Sequence, residues 1–324
     1  MTVSDYLREW LRGKRPELER STYEAYTVCI DRHLSPWFDA LGKQLDELRP
    51  LDVKAYVTEK RTEGRHDGKP GGLAPATVRK HLAILKQALR EAALYELIPR
   101  SPAEPVRLPR VRFLSEKVRF VPADQCRDIL SALRGHPLFP LVLVTLYYGL
   151  RRSEALGLKW TAVDFDRKEL HIRHTVVKNL TIEAKDRTKT ESSRRTFPLL
   201  QSVEDVLAVV KATSTGVSPY VFTWDDGRPF RPDCVTRGFQ RALRRAGLPV
   251  IRFHDLRHAT ATVLFEQGWS VKDVQHWLGH SDAETTMNIY IAYLQSRKKA
   301  LGGAIEGIFE SPYMETEKTQ YKQK

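Results

Sequence analysis

Cysteine is scarce in this 324-residue chain: Cys29, Cys126 and Cys234 are all it has, and they stand far apart. They form no CxxC pair and no disulfide framework, which fits a reducing compartment and three small buried or half-buried side chains. Long hydrophobic runs are missing too. A helix that spans a bilayer needs about 18 unbroken apolar residues; the longest candidate, Leu138 to Leu150, is shorter and runs into Arg151 and Arg152. Asp5, Arg8 and Glu9 interrupt the start, so it lacks the apolar core of a secretory signal. There is no internal repeat, no long low-complexity run and no acidic cluster suited to Mg²⁺. These absences predict a cytoplasmic protein with no membrane contact and no metal cofactor.

What is present is positive charge and enough apolar residues for real cores. Hydrophobic residues make up 41% of the chain, too many for a disordered one, and the length favours two domains. The formal net charge of +13 draws the chain to polyanions by counterion release. Acidic membranes would compete, but the basic residues do not collect on one amphipathic helix or beside a lipidation signal.

Hydrophobic periodicity predicts helices over Thr2–Leu11, Ser21–Leu34, Asp52–Glu63 and Pro75–Tyr95, a compact four-helix unit over residues 1–98. In the second helix, Ser21 and Glu24 read as a capping box and Pro36 as the stop. Arg79, Lys80, Lys86 and Arg90 would charge the outer side of the fourth helix. Residues 99–119 carry Pro99, Pro102, Pro105 and Pro109 among Arg107, Arg110 and Arg112, a basic, stiffened linker. A second domain over 120–310 mixes helices with a small antiparallel sheet from Glu169–Val177, Leu180–Ala184 and Arg194–Leu199. Residues 311–324 read as a polar, flexible tail. The fold class is mainly α with one small antiparallel sheet.

Several short patterns carry chemistry. In Tyr148-Gly149-Leu150-Arg151-Arg152-Ser153-Glu154 an apolar helix breaks at Gly149, and Ser153 is a possible cap for the next one. A side chain at such a break points into a cleft, and the planar fork of Arg151 suits two oxygens of one phosphate. In His254-Asp255-Leu256-Arg257-His258, His254 and Arg257 share a helical face, placing a proton carrier beside a second guanidinium. Gly279 should end a helix and leave His280 at a turn. Tyr290 follows ten residues later, and Lys189 sits near the tip of a turn between two strands. Each pattern alone also fits a structural role.

In order, Arg151, Lys189, His254-x-x-Arg257, Gly279-His280 and Tyr290, after a helical first unit, the set resembles the tyrosine recombinases of the phage-integrase type. The resemblance covers about Val3 to Phe309. It implies a SAM-like helical core-binding domain, followed by a mixed α+β catalytic domain, the two forming a clamp around DNA. It places Arg151 and Arg257 on the scissile phosphate, Lys189 on the β-hairpin, His254 in the His-x-x-Arg pair, and His280 at a position held by His or Trp. Tyr290 takes the nucleophile's place and Glu154 that of a supporting acid. The implied reaction is site-specific strand exchange through a 3′-phosphotyrosyl intermediate and a Holliday junction, serving integration and excision of a mobile element. Two guanidiniums can neutralise the charge that grows on the non-bridging oxygens without a metal. Implied partners are double-stranded attachment sites, a homotetramer assembled through the helix around Leu301–Phe309, and accessory bending or directionality proteins. The implied location is the bacterial nucleoid.

Some residues depart from the family's pattern. Tyr148 stands where Thr is common, Ala292 replaces a frequent His, and Tyr293 is a second tyrosine near the first. Many members carry an earlier small domain for arm sites; here it is either absent or lies before the first residue given. Rival readings are a dimer resolvase of the Xer kind, a type IB topoisomerase-like enzyme and a non-catalytic DNA-binding protein. A zinc hydrolase built on His254, His258, His276 and His280 is a fourth, opposed by Arg257 beside the metal.

Overall fold

The computed structural model describes residues 1–65, 68–108, 121–178, 182–185, 194–214, 216, 218–224, 226–280 and 283–309. The chain divides into two compact units, residues 1–113 and 114–324. The named elements of the first unit are all helices among the described residues. Helix α1 (Val3–Gly13) starts at Thr2, whose hydroxyl accepts from the Asp5 N–H, and buries Val3, Tyr6, Leu7, Trp10 and Leu11. Tyr6 satisfies its buried hydroxyl by donating to the Ala88 carbonyl at 2.7 Å. That bond ties α1 to α5 (Pro75–Leu94), which contributes Val78, Leu82, Leu85, Ala88 and Leu89 to the same core.

Two expectations for the second helix fail. Helix α2 (Arg20–Cys29) begins one residue before Ser21, and its N-cap Glu19 makes no side-chain cap. Nor does Pro36 stop the chain. The helix passes through a π turn, Ile30–Leu34, into α3 (Ser35–Leu41). Pro36 thereby falls in the first turn of α3, where a missing N–H costs no intrahelical bond. Helix α4 (Pro50–Thr62) completes the unit.

The segment read as a basic, stiffened linker is, in its described part, packed. Ile98, Pro102, Ala103 and Val106 are buried, and Ile98, Ala103 and Val106 belong to the core of the first unit. Prolines here stop a helix without freeing the chain from the core. Arg110 and Arg112 lie outside the described residues.

The second unit opens with α6 (Ala123–Ala132), α7 (Phe139–Tyr148) and the short α8 (Arg152–Leu156). Among the described residues five strands follow, in two sheets rather than one. Strands β1 (Val163–Asp164), β2 (Glu169–Ile172) and β5 (Arg195–Pro198) form an antiparallel sheet in the order β1-β2-β5, while β3 (Thr175–Lys178) and β4 (Ile182–Lys185) make a separate hairpin. The expected strand Glu169–Val177 thus breaks at Arg173 and His174. There the end of α8 lies against the backbone: a Cβ on Gly157 would sit 2.7 Å from the Thr175 Cα. In the larger sheet Leu170 pairs with Phe197, both buried, and Ile172 pairs with Arg195.

Helices α9 (Gln201–Thr213), α10 (Pro232–Arg245), α11 (Asp255–Glu266), α12 (Val271–Leu278) and α13 (Ala283–Phe309) close the unit. Helix α13 carries Tyr290 and runs on to Phe309, so the helix around Leu301–Phe309 is its continuation and not a separate element. Tyr148 links α7 to the sheet: its hydroxyl donates to the Pro198 carbonyl and accepts from the Leu200 N–H, each at 3.0 Å. No helix among the described residues is long and apolar enough to cross a membrane.

Candidate active site

Two helices of the second unit end on left-handed glycines, Gly149 after α7 (φ 60°) and Gly279 after α12 (φ 64°). A β-carbon is disfavoured at such angles. At Gly149 it would also meet the Leu278 Cδ2 at 2.2 Å, so the two helix ends pack against each other. Helix C-termini leave carbonyls without intrahelical partners. Here arginines supply the donors. Arg257 donates from Nη1 to the Gly149 carbonyl at 2.7 Å and from Nη2 to the Leu278 carbonyl at 2.8 Å. Arg151 donates from Nη2 to the Gly279 carbonyl at 3.1 Å.

Glu154 balances these cations. It is 1% exposed, and its Oε1 accepts from the Arg151 Nη1 at 2.6 Å. Its Oε2 accepts from the Arg151 backbone N–H at 2.9 Å, which caps α8 at Arg151 rather than at Ser153. The same oxygen accepts from Arg195 Nη2 at 3.0 Å and lies 4.0 Å from Arg257 Nη1. Arg195 was not singled out in the sequence. Its side chain is buried over the Phe197 ring, and its Nε and Nη1 find no hydrogen-bond partner among the described residues. The signal that could have found it is strand alternation: a charged residue in phase with the sheet's buried face needs a buried partner.

Burial and then Arg151 push the Arg257 guanidinium down to about 9, with Glu154 opposing, so it stays charged at neutral pH. Its Nε donates to the His280 Nε2 at 3.1 Å, and the His280 Nδ1 lies 2.7 Å from the Thr286 hydroxyl. Burial, then Arg257, push His280 down to about 3. His254, the residue before α11, is exposed at its edge; the protein packed around it and then Arg257 lower its pKa. Its ring stands edge-on to His258, centroids 5.0 Å apart, and burial and then His254 push His258 down to about 4.

Arg151 with Glu154 and Arg257 with His280 are therefore two hydrogen-bonded pairs joined into one cluster by the 4.0 Å contact of Arg257 with Glu154, and His254 is electrostatically coupled to it. Tyr290 is half-buried on α13, its ring 5.0 Å from Phe265 and 6.3 Å from Tyr293. No described residue ties its hydroxyl to the cluster, but its helix is tied there through Thr286. Tyr293 is buried, its hydroxyl accepting from Arg297 at 2.9 Å. Lys189 lies outside the described residues. The zinc reading meets an obstacle in His280, both of whose nitrogens are engaged, and no group of three metal-binding side chains gathers among the described residues.

Of the proposed polyanion contacts, Arg79 and Lys80 are exposed on α5. Lys86 donates to the Glu104 carbonyl at 3.0 Å and Arg90 pairs with the Glu104 carboxylate at 3.1 Å, so both must exchange a partner to bind elsewhere. Arg107 is exposed and lines a groove with Arg79 and Lys86. A stronger basic face was overlooked. Helix α10 buries Val235, Phe239 and Leu243, which turns Arg237, Arg241, Arg244 and Arg245 outward. Arg241, Arg244 and Arg245 pair with no carboxylate among the described residues.

The lowered histidines fix a pH dependence. An unfolded histidine titrates near 6.5, so between about pH 6.5 and pH 4 the unfolded chain binds protons that His258 and His280 in the fold do not. Their contribution to stability is fully present above pH 6.5 and is lost as pH falls toward 4. The urea midpoint should drop between pH 7 and pH 5, and less so in His258→Asn; equal midpoints at both pH values would refute the assignment.

Comparison with known proteins agrees with this geometry. Residues 119–297 match the phage integrase family, and residues 2–61 match the N-terminal SAM-like domain of phage integrases. A XerC-like tyrosine recombinase of Caldanaerobacter subterraneus is 33% identical, covering 92% of this chain and 81% of that one. The ICEBs1 integrase of Bacillus subtilis is 22% identical over 88% of this chain and 77% of its own. The fold is that of the Tn1549 transposon integrase solved with circular-intermediate DNA, at a TM-score of 0.75, 21% identity, and coverage of 89% of this chain and 95% of that one. The chain belongs to the phage integrase family.

Proposed function

We propose that the protein is a site-specific DNA recombinase that cuts and rejoins strands through Tyr290. The observation that carries this reading is the meeting of Arg151, Arg257 and Glu154 around two helix ends, below a helix that bears a tyrosine. Phosphodiesters resist attack because their charge repels nucleophiles. Arg151, 31% exposed in its side chain, meets one non-bridging oxygen, and DNA entry brings the remaining Nη hydrogens of Arg257 to the other. The Tyr290 oxygen attacks phosphorus and the 5′-oxygen leaves. Lys189 supplies the proton to the leaving oxygen and His254 accepts the tyrosine's. The 3′-phosphotyrosine keeps the diester's reactivity, so a 5′-hydroxyl from another strand reverses the step without ATP, and two such exchanges pass through a Holliday junction.

The biological setting proposed is integration and excision of a mobile element, as in the integrases it resembles. Resolution of chromosome or plasmid dimers is the second reading, favoured by the likeness to a XerC-like recombinase. Duplex DNA would meet Arg79, Lys80 and Arg107 of the first unit and the α10 arginines of the second. A second copy of the chain is the proposed occupant of an apolar stripe on α13. Met287, Ile291, Leu294, Leu301 and Ile305 are all exposed there, at spacings that fall on one helical face.

Tyr290→Phe should bind DNA as the parent does and form no covalent adduct on a denaturing gel; an adduct at undiminished yield sinks the assignment. In gel-shift titrations, Arg237→Ala with Arg241→Ala should flatten the dependence of affinity on salt by about 1–2 units of slope. Removing residues from Gly302 onward should abolish cooperative complexes while leaving the first binding step intact; retained cooperativity would remove the end of the helix from the assembly.

A further inference from the structure

The cluster contains a hydroxyl that the reaction above does not use. Thr286 is wholly buried on α13, one turn before Tyr290 and on the same helical flank. Its Oγ1 lies 2.7 Å from the His280 Nδ1, and the His280 Nε2 faces the Arg257 Nε at 3.1 Å. The direction of these bonds follows from chemistry. A guanidinium N–H can only donate, so the His280 Nε2 is the acceptor and bears no proton. The ring is neutral, pushed down to about 3 by burial and Arg257, and its one proton must sit on Nδ1. It is therefore donated to Thr286. The backbone holds the ring in place as well: the His280 N–H donates to the Gln275 carbonyl and the Gln275 side chain donates to the His280 carbonyl, both at 3.2 Å.

We propose that Thr286 is a positioning residue: it sets the tautomer of His280, which sets the plane of the Arg257 guanidinium, so the cation is aimed when the helix carrying Tyr290 is seated. The guanidinium has three anchors, at Nε, Nη1 and Nη2, and only the Nε anchor depends on α13. Without the threonine oxygen, the Nδ1 proton loses the one acceptor that the described residues offer it. The ring then gains by shifting its proton to Nε2, which would confront the Arg257 Nε with a second donor. Nucleophile and cation are thus delivered together. The proposal rests on the reading of Arg257 and Tyr290 given above.

Two measurements on the full chain test it. In a histidine ¹⁵N–¹H spectrum near neutral pH, with His280→Gln to assign the signal, His280 should carry its proton on Nδ1. Thr286→Val should move it toward Nε2, and Thr286→Ser should restore it. On a nicked DNA substrate that traps the covalent adduct, Thr286→Val should slow cleavage roughly 5- to 10-fold at unchanged DNA affinity, with Thr286→Ser recovering most of the rate. A wild-type His280 protonated on Nε2 overturns the proposal, whether or not the valine variant folds. So does a folded Thr286→Val that cleaves at the wild-type rate while Tyr290→Phe forms no adduct. An adduct formed by Tyr290→Phe would defeat the parent reading alone, and the tautomer then decides this one.

Discussion

The second unit is organised around a buried cation. Arg257 is 1% exposed, yet charged. Transfer of an unpaired charge out of water costs several kcal/mol, and removing the partner of a buried ion typically costs about 3–5 kcal/mol. The fold meets that demand with the carbonyls at the ends of α7 and α12 and one imidazole nitrogen. Those carbonyls lack helical partners and carry the negative end of each helix dipole, so they suit a guanidinium better than a neutral donor. The requirement propagates outward. Each helix must turn sharply to present its last carbonyls, which demands Gly149 and Gly279, and the close approach at Gly149 fixes Leu278.

The same cation explains the neighbouring polar groups. Glu154 sits where it can serve Arg151, Arg195 and, more distantly, Arg257. His280 stays neutral because it is buried and a guanidinium faces it; a protonated ring would put two cations nose to nose. Thr286 takes the proton that this neutral ring must carry at its other edge. No member of the chain can change type without leaving a buried donor or acceptor unmatched.

Much of this was legible in the sequence, because short-range chemistry writes itself into short motifs. Gly149 followed by Arg151 and Glu154, and Gly279 followed by His280, announce a helix stop, a charge and a cap within a few residues. Amphipathic spacing likewise located most helices to within two residues. What escaped depended on distance along the chain. Arg195 joins Glu154 across 41 residues, and nothing in a strand of four residues says which carboxylate lies beneath it. Pro36 and Ser21 misled because local rules assume a regular α-helix: a π turn displaces the proline's gap, and an earlier start makes the serine interior. The prolines after Ile98 stopped a helix as expected, but Ala103 and Val106 show that a broken helix still packs when small apolar residues fall in phase with a core.

Among the described residues three guanidiniums gather at one carboxylate, and two nitrogens of Arg195 make no hydrogen bond. Among those residues positive charge is crowded around a single acid, and packing holds it there. An anion seated on Arg151 would relax it, and by linkage whatever binds the folded state in preference to the unfolded one raises its stability. Folding and ligand affinity then draw on one common term. On the proposed reading, a substitution that neutralised an arginine here would stiffen the free protein while weakening its hold on a phosphate, so hardiness in isolation and competence on a polyanion pull the sequence in opposite directions.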